Sequence, residues 1–364
     1  PMKNERRSFI KKSIAAATVA AFSPNVLLAA TRPVKEKLGV ALVGLGYYST
    51  DLIAPGLLNT QHCELKGIVT GTPSKIPTWQ EKYGVEDKNV YSYDNYGDIA
   101  NNPDIDVIYV ILPPSMHKEY TVRGAETGKQ MWCEKPMAPS VADCQAMIDA
   151  CNKNKVRLAI GYRCQHDPNI QAYRKVVKEQ RFGKVKMVNS AAGYFERRTD
   201  HWKQSKAMGG GVMGDMGVYA IQGARMATGE EPISVSAHTM TTRPEIYHEV
   251  EETATYLLRF PSGAMATCQS SFGVNMNHLQ VNYEKGWLKM EPQTGYGGNR
   301  GSMSDGTEIY TPVKRQQPLQ MDNDALALMN NTPYIAPGEE GLRDIRVVEA
   351  VLKSGANGSC EVKL

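Results

Sequence analysis

Gly39-Val-Ala-Leu-Val-Gly-Leu-Gly-Tyr-Tyr-Ser49 decides the fold. Its first half is an unbroken apolar run, as expected of a strand buried on both faces of a parallel sheet. Its second half has the form Gly-x-Gly-x-x-Ser. Gly44 permits a tight turn, Gly46 lets the backbone approach a pyrophosphate, and Ser49 is a small residue in place of a third glycine. The helix amino terminus beyond supplies N–H donors and a positive dipole end. Tyr47 and Tyr48 lie within this turn and join Gly44, Gly46 and Ser49 as candidate cofactor-binding residues. The spacing gains its meaning from the strand that precedes it.

Repeated strand-then-helix units follow outward from that stretch. Strands are expected over 65–70, 105–112, 129–133 and 156–161, with helices over 115–128 and 141–153. Alternation of this length implies a doubly wound parallel sheet, in which ligands bind at the carboxyl ends of the strands. At the end of the second strand an NAD site would carry an acidic residue for the ribose hydroxyl. Here the chain reads Thr70-Gly71-Thr72-Pro-Ser-Lys75, hydroxyls and an amine without a carboxylate. That chemistry suits a 2′-phosphate and hence NADP, with NAD still possible, and the same residues also make an ordinary turn. Pro113 and His117 stand at another strand end and face the same cleft, His117 as a helix-start residue more than a proton carrier. Glu134-Lys135-Pro136 closes a further strand, placing an ammonium where a ligand would lie, although a solvated lysine before a proline-capped helix reads equally well.

From about residue 183 the pattern becomes one of strands with mixed alternation and short turns, over 185–192, 233–241, 251–260, 264–272 and 279–290. This implies an α+β domain with a large, mainly antiparallel sheet. It opens with Gly209-Gly-Gly-Val-Met-Gly-Asp215-Met-Gly-Val-Tyr219. On a helix Asp215 and Tyr219 share a face and could orient and deprotonate a hydroxyl. They also read as a capping aspartate and a core tyrosine.

Residues 1–30 belong to neither domain. Glu5-Arg6-Arg7-Ser8-Phe9-Ile10-Lys11-Lys12, an Ala-rich apolar stretch over 14–21 and Ala29-Ala30 resemble a twin-arginine export signal, which predicts a periplasmic protein with no membrane anchor after cleavage. Removing its five Lys/Arg and one Glu from totals of 42 and 38 leaves 37 of each, so nothing electrostatic calls for nucleic acid. Seven scattered cysteines form no disulfide framework and no metal-ligand spacing, and no metal is expected.

Gly44-Leu-Gly-Tyr-Tyr-Ser49, Cys133-Glu-Lys-Pro-Met137, Ile160-Gly-Tyr-Arg163-Cys, Gly209-Gly-Gly…Asp215…Tyr219, Gly229-Glu-Glu-Pro232 and Pro337-Gly-Glu-Glu-Gly341 together resemble the Gfo/Idh/MocA oxidoreductase family, and within it the glucose–fructose oxidoreductase branch. The resemblance implies a Rossmann domain over 31–160, a substrate and oligomerisation domain over 161–340, and a terminal helix and tail over 341–364. It implies that Lys135 reaches both nicotinamide ribose and substrate across a lysine–proline bond that is often cis, and that Asp215 and Tyr219 complete the catalytic group. It brings Glu134 and Arg163 into the cofactor contacts and Arg163 into the substrate contacts. It further implies an exported, NADP-loaded sugar oxidoreductase acting at the anomeric carbon, with a second sugar as acceptor, and a homodimer or homotetramer formed through the open sheet. The segment 193–208 departs from that branch, and Tyr194, His201 and Trp202 in it are candidates either for sugar contacts or for packing. A glycosidase with transient redox, a conventional sugar or polyol dehydrogenase and a non-catalytic sugar-binding role are the competing readings.

Overall fold

The computed structural model describes residues 35–364; the stretch read as an export signal lies outside them. Six parallel strands form the first sheet: β1 (Leu38–Val43), β2 (Cys63–Val69), β3 (Val90–Tyr91), β4 (Val107–Val110), β5 (Gln130–Glu134) and β6 (Leu158–Gly161). Their order, β3-β2-β1-β4-β5-β6, is that of a doubly wound dinucleotide fold. β1 is buried along nearly its whole length because both faces are covered, which is why its sequence is continuously apolar. The chain reverses between β1's two neighbours, and the crevice opens there, beyond the strands' carboxyl ends.

Nine strands form the second sheet: β7 (Val185–Gly193), β8 (Ser234–Met240), β9 (Thr253–Arg259), β10 (Met265–Ser271), β11 (Met276–Tyr283), β12 (Trp287–Met290), β13 (Gly301–Met303), β14 (Glu308–Ile309) and β15 (Val362–Lys363). The order is β14-β13-β12-β11-β7-β10-β9-β8-β15. All neighbours are antiparallel except β7 and β10. Along β9 burial alternates strictly, with Ala254, Tyr256 and Leu258 turned inward and Thr255, Leu257 and Arg259 outward. One face is therefore packed and the other open. The expected single strand over 279–290 is instead the hairpin β11–β12. Glu284-Lys285-Gly286 turns the chain, closed by the Tyr283 amide on the Gly286 carbonyl at 2.8 Å.

Two helices cover the inner face. Val218–Thr228 is buried at most of its positions, and each large aliphatic side chain it sinks is worth about 1.5–3 kcal/mol. Gly338–Ala356 packs on both β6 and β8, so a single core runs between the sheets. Arg225 of the first helix ties the two together. Its guanidinium donates to Asp344 at 2.6 Å and to Glu340 at 3.0 Å, and the Gln222 amide donates to the other Asp344 oxygen at 2.7 Å. The helix bearing Tyr219 is thus fixed by buried polar bonds as well as by packing. Cys63, Cys133, Cys144, Cys151, Cys164 and Cys268 are buried and free, and Cys360 is exposed and free. Among the described residues no helix is long and apolar enough to cross a membrane.

Candidate active site

Five strand ends converge on the site. After β1, Gly44 takes φ +91°, and a Cβ there would lie 2.5 Å from the Ile111 carbonyl oxygen, so only glycine fits. Gly46 has open space where a Cβ would point, which leaves its backbone accessible to a ligand. The buried Ser49 hydroxyl donates to the Gly44 carbonyl at 2.5 Å and locks the turn, while Tyr47 is exposed at its tip. After β2, the Thr72 amide donates to the Thr70 hydroxyl oxygen at 3.0 Å, and Gly71 lies too close to the Tyr93 ring to carry a side chain. Lys75 reaches across and donates to the Leu45 carbonyl at 2.7 Å, so its amine sits at the glycine turn. An open backbone cradle with an amine beside it fits a dinucleotide diphosphate. Among the described residues no cluster of side chains is arranged to hold a metal.

After β4, Pro113 begins the helix Pro114–Glu126. His117 on that helix is fully buried and spans two loops, one ring nitrogen 2.7 Å from the Leu112 carbonyl and the other 2.9 Å from that of Pro136. Burial pushes its pKa down against those two bonds. Both ring nitrogens lie against backbone carbonyls, so His117 ties the Lys135 loop to the loop after β4.

After β5, the Glu134 carboxylate accepts from the Tyr109 hydroxyl and, at 3.2 Å, from the Lys135 amide. Gln320 donates in turn to Tyr109 at 2.9 Å. Burial pushes the Glu134 carboxyl up from 4.5 to about 7, with Tyr109 and the Lys135 charge acting in the opposite sense. The folded chain then holds this proton more tightly than the unfolded chain. The group's stabilisation is full below its unfolded pKa of 4.5 and declines until the pH passes about 7, a total of about 3 kcal/mol. Urea titrations of nucleotide-free wild type and Glu134→Gln should show the wild type losing ground relative to the variant across that window. A pH-independent difference would remove the assignment.

The Lys135–Pro136 peptide is cis. The Lys135 ammonium donates to both the carbonyl and Oδ1 of Asp215, each at 2.8 Å, and lies 4.7 Å from the centre of the Tyr219 ring. Asp215 occupies a wide helical turn, Met213–Gly217, that runs directly into Val218–Thr228. The Glu251 carboxylate caps this turn by accepting from the Met213 amide at 2.9 Å, against a glycine, Gly211, that leaves room for it. A second ammonium, that of Lys203, donates to Asp215 Oδ2 at 2.6 Å. Burial acts to raise the Asp215 pKa, but the two lysines outweigh it and hold the carboxyl well below its ordinary range. Burial likewise works against the Lys135 charge, which Asp215 and the neighbouring phenols more than restore. Tyr219 responds differently. Burial raises its pKa, and Arg163 and Lys135 offset only part of the rise, so the resting phenol is protonated.

Arg163, after β6, is buried beneath the site. It donates to the Thr294 carbonyl at 2.9 Å and to Gln316, and its guanidinium lies 5.7 Å from the Tyr219 ring centre and 3.8 Å from that of Tyr296. Tyr48 is half-buried, and burial of its hydroxyl, with the Glu134 carboxylate nearby, pushes its pKa up. The segment 193–208 supplies the opposite wall. The Tyr194 hydroxyl accepts from Lys203 and lies 3.0 Å from Glu196 Oε2 and 3.3 Å from Asp215 Oδ2. Burial acts to raise the Glu196 pKa, but the Arg198 fork holds that carboxyl at about 2. Arg198 also lies 3.0 Å from the His201 ring. His201 and Trp202 are half-buried beside each other, 5.6 Å between ring centres.

The geometry thus brings Lys135, Asp215, Tyr219, Arg163 and Tyr194 together and leaves Tyr47 at the rim. Lys203, Glu196, Tyr296 and Tyr109 join them without any signal in the sequence.

Comparison with known proteins agrees with this geometry. Residues 38–162 match the model of the oxidoreductase family with NAD-binding Rossmann fold, and residues 170–289 match the GFO/IDH/MocA C-terminal domain. The crystal structure of an aldose-aldose oxidoreductase from Caulobacter crescentus, complexed with glycerol, superposes with a TM-score of 0.86 at 40% identity, over 90% of this chain and 100% of that one. The D-xylose 1-dehydrogenase [NADP(+)] of Haloarcula marismortui is 24% identical over 330 residues, 88% of this chain and 91% of that protein. Levoglucosan dehydrogenase, in complex with NADH and levoglucosan, shares the fold at 19% identity with a TM-score of 0.77 over 90% of this chain and 99% of that one. The chain belongs to the Gfo/Idh/MocA family of oxidoreductases, with an NAD(P)-binding Rossmann sheet and the family's carboxyl-terminal sheet.

Proposed function

We propose that this oxidoreductase transfers hydride between a sugar hydroxyl carbon, the anomeric carbon of an aldose, and a tightly held NADP. The observation that carries the reading is the Lys135–Asp215 pair, with its ammonium 4.7 Å from the Tyr219 ring, at the carboxyl end of β5. A nicotinamide there supplies the hydride acceptor and donor. Gly44, Gly46 and Ser49 shape the diphosphate cradle, and Thr70, Thr72 and Lys75 favour a 2′-phosphate. Glu134 and Lys135 would hold the nicotinamide ribose.

Tyr219 moves the proton. In the reducing direction its neutral phenol donates to the carbonyl oxygen, which is the form that burial maintains. In the oxidising direction the accepting form is the phenolate, the minor form that Lys135 and Arg163 stabilise, and the hydroxyl proton passes to it and restores the phenol. Asp215, held ionised by two lysines, accepts from a sugar hydroxyl and orients it; it does not exchange the proton itself. The name of the Caulobacter relative supports a second aldose as acceptor, and hence a closed cycle in which one sugar reduces the nicotinamide and another reoxidises it. The twin-arginine stretch fits export with the nucleotide already loaded. The open face of the nine-stranded sheet, which exposes Met187, Leu257 and Met265, suits a homodimer or homotetramer contact.

The test is a nucleotide analysis of the purified, unsupplemented protein, followed by addition of aldoses and ketoses. The expected result is bound NADP(H) that one sugar reduces and another reoxidises. Protein that is empty and turns over only with added cofactor is a conventional dehydrogenase, and release of free sugar from a nitrophenyl glycoside establishes the glycosidase reading instead.

A further inference from the structure

Hydroxyl-binding groups account for only part of a sugar. A pyranose also presents a face of C–H bonds, which binds best against a flat apolar surface that keeps water away from it. Lys135, Asp215 and Lys203 offer charges and hydrogen bonds but no such surface, and the Tyr194 ring already has Phe272 and the Lys203 ammonium against it. Tyr296 offers one. The residue is 51% exposed, yet its ring lies 3.8 Å from the Arg163 guanidinium, which is itself 5.7 Å from the Tyr219 ring, and this places it beside the same site.

The support behind this tyrosine is built in detail. Asn277 Oδ1 accepts from the Gln293 amide at 2.9 Å, the Thr294 amide at 2.9 Å and the Thr294 hydroxyl at 3.0 Å. The Gln293 side-chain amide is buried on the carbonyls of Ala191 at 2.8 Å and His278 at 2.9 Å. Asn299 Oδ1 accepts from the Gly295 amide at 2.8 Å, and its own amide donates to the buried Asp167 at 3.1 Å. Arg163 then backs one face of the ring at 3.8 Å while donating to the Thr294 carbonyl. A loop anchored from both sides holds an aromatic face still, and a preorganised face costs little ordering entropy on binding.

We infer that Tyr296 is the stacking platform for the ring of the sugar, so that the site takes cyclic aldoses by their apolar face on Tyr296 and by their hydroxyls on the Asp215 side. This rests on the sugar reading above and narrows it to pyranose rings. It makes Tyr296 a determinant of specificity: a sugar whose hydroxyl rises from the stacked face loses contact, and one with C–H bonds along that face gains it.

The experiment compares wild type, Tyr296→Phe and Tyr296→Ala for an aldose that reduces the wild-type enzyme, with bound nucleotide quantified in each. Tyr296→Phe should keep the wild-type KM, since the ring and not the hydroxyl makes the stack. Tyr296→Ala should raise KM about five- to tenfold, as loss of one aromatic contact predicts, with a smaller change in kcat and unchanged nucleotide content. Two outcomes overturn the platform: a KM in Tyr296→Ala equal to wild type, or a loss of bound nucleotide, which would place the ring over the cofactor instead. A wild-type protein whose nicotinamide no sugar reduces brings down the sugar reading itself, and the platform with it.

Discussion

Tyr219→Phe should lower turnover by about a hundred- to ten-thousandfold, the range for removal of a positioned proton-transfer group, while the nucleotide remains bound. The ring is buried and sits in the middle of the Lys135 and Arg163 cations, at 4.7 and 5.7 Å from its centre. Phenylalanine keeps that packing, and among the described residues the Tyr219 hydroxyl has no protein hydrogen bond to lose. The substitution therefore removes one oxygen and leaves the fold intact, so thermal unfolding of the variant should match wild type closely. Its kinetic signature should be a fall in kcat with KM for the sugar changed little, because the lost interaction is made mainly as the proton moves. Stopped-flow measurement of nicotinamide reduction on adding sugar separates this step from release. Near-normal single-turnover reduction would exclude Tyr219 as the group that takes the proton.

The parts of the site that could be read from sequence are those written in consecutive residues. Gly44 through Ser49 follows an apolar strand directly, Lys135 is pinned by its neighbours, and Asp215 and Tyr219 are one helical turn apart. Each carries its geometry in its spacing. Lys203 and Tyr296 do not. Lys203 reaches Asp215 only because the segment 193–208 folds back over the glycine-rich turn, where the Gly210 position sits against the Lys203 carbonyl. Tyr296 meets Arg163 because β6 and the loop after β12 end at the same point, a fact of sheet order that no local pattern encodes. The failure over 279–290 has the opposite cause. Apolar alternation continues through both arms of the β11–β12 hairpin, and the turn at Glu284-Lys285-Gly286 has only one residue that favours reversal. His117 was visible as a cleft-side residue, but its two buried carbonyl partners lie on separate loops and could not be foreseen.

Lys135→Met should cost more than Tyr219→Phe, because the ammonium has two tasks. It is one of two cations that ease ionisation of the buried phenol, and it is a hydrogen-bond donor to both the backbone and the side chain of Asp215. With methionine in its place, burial acts on Tyr219 with only Arg163 in opposition, so the phenol is still harder to ionise. The oxidising half-reaction should fall by about a thousandfold or more, a loss of at least about 4 kcal/mol of transition-state stabilisation. The reducing half-reaction, which needs the neutral phenol, should fall less. Stability should drop too. Breaking a buried ion pair commonly costs about 3–5 kcal/mol, and the lower end is expected here because Lys203 continues to neutralise Asp215 at 2.6 Å. Lys135→Arg should not rescue turnover, since a planar fork cannot reproduce a compact ammonium placed over a ring and beneath a carboxylate. The decisive measurement is the ratio of the two half-reaction rates in Lys135→Met. An equal loss in both directions would mean that the lysine only positions the substrate, whereas a loss concentrated in oxidation shows that it sets the charge state of Tyr219.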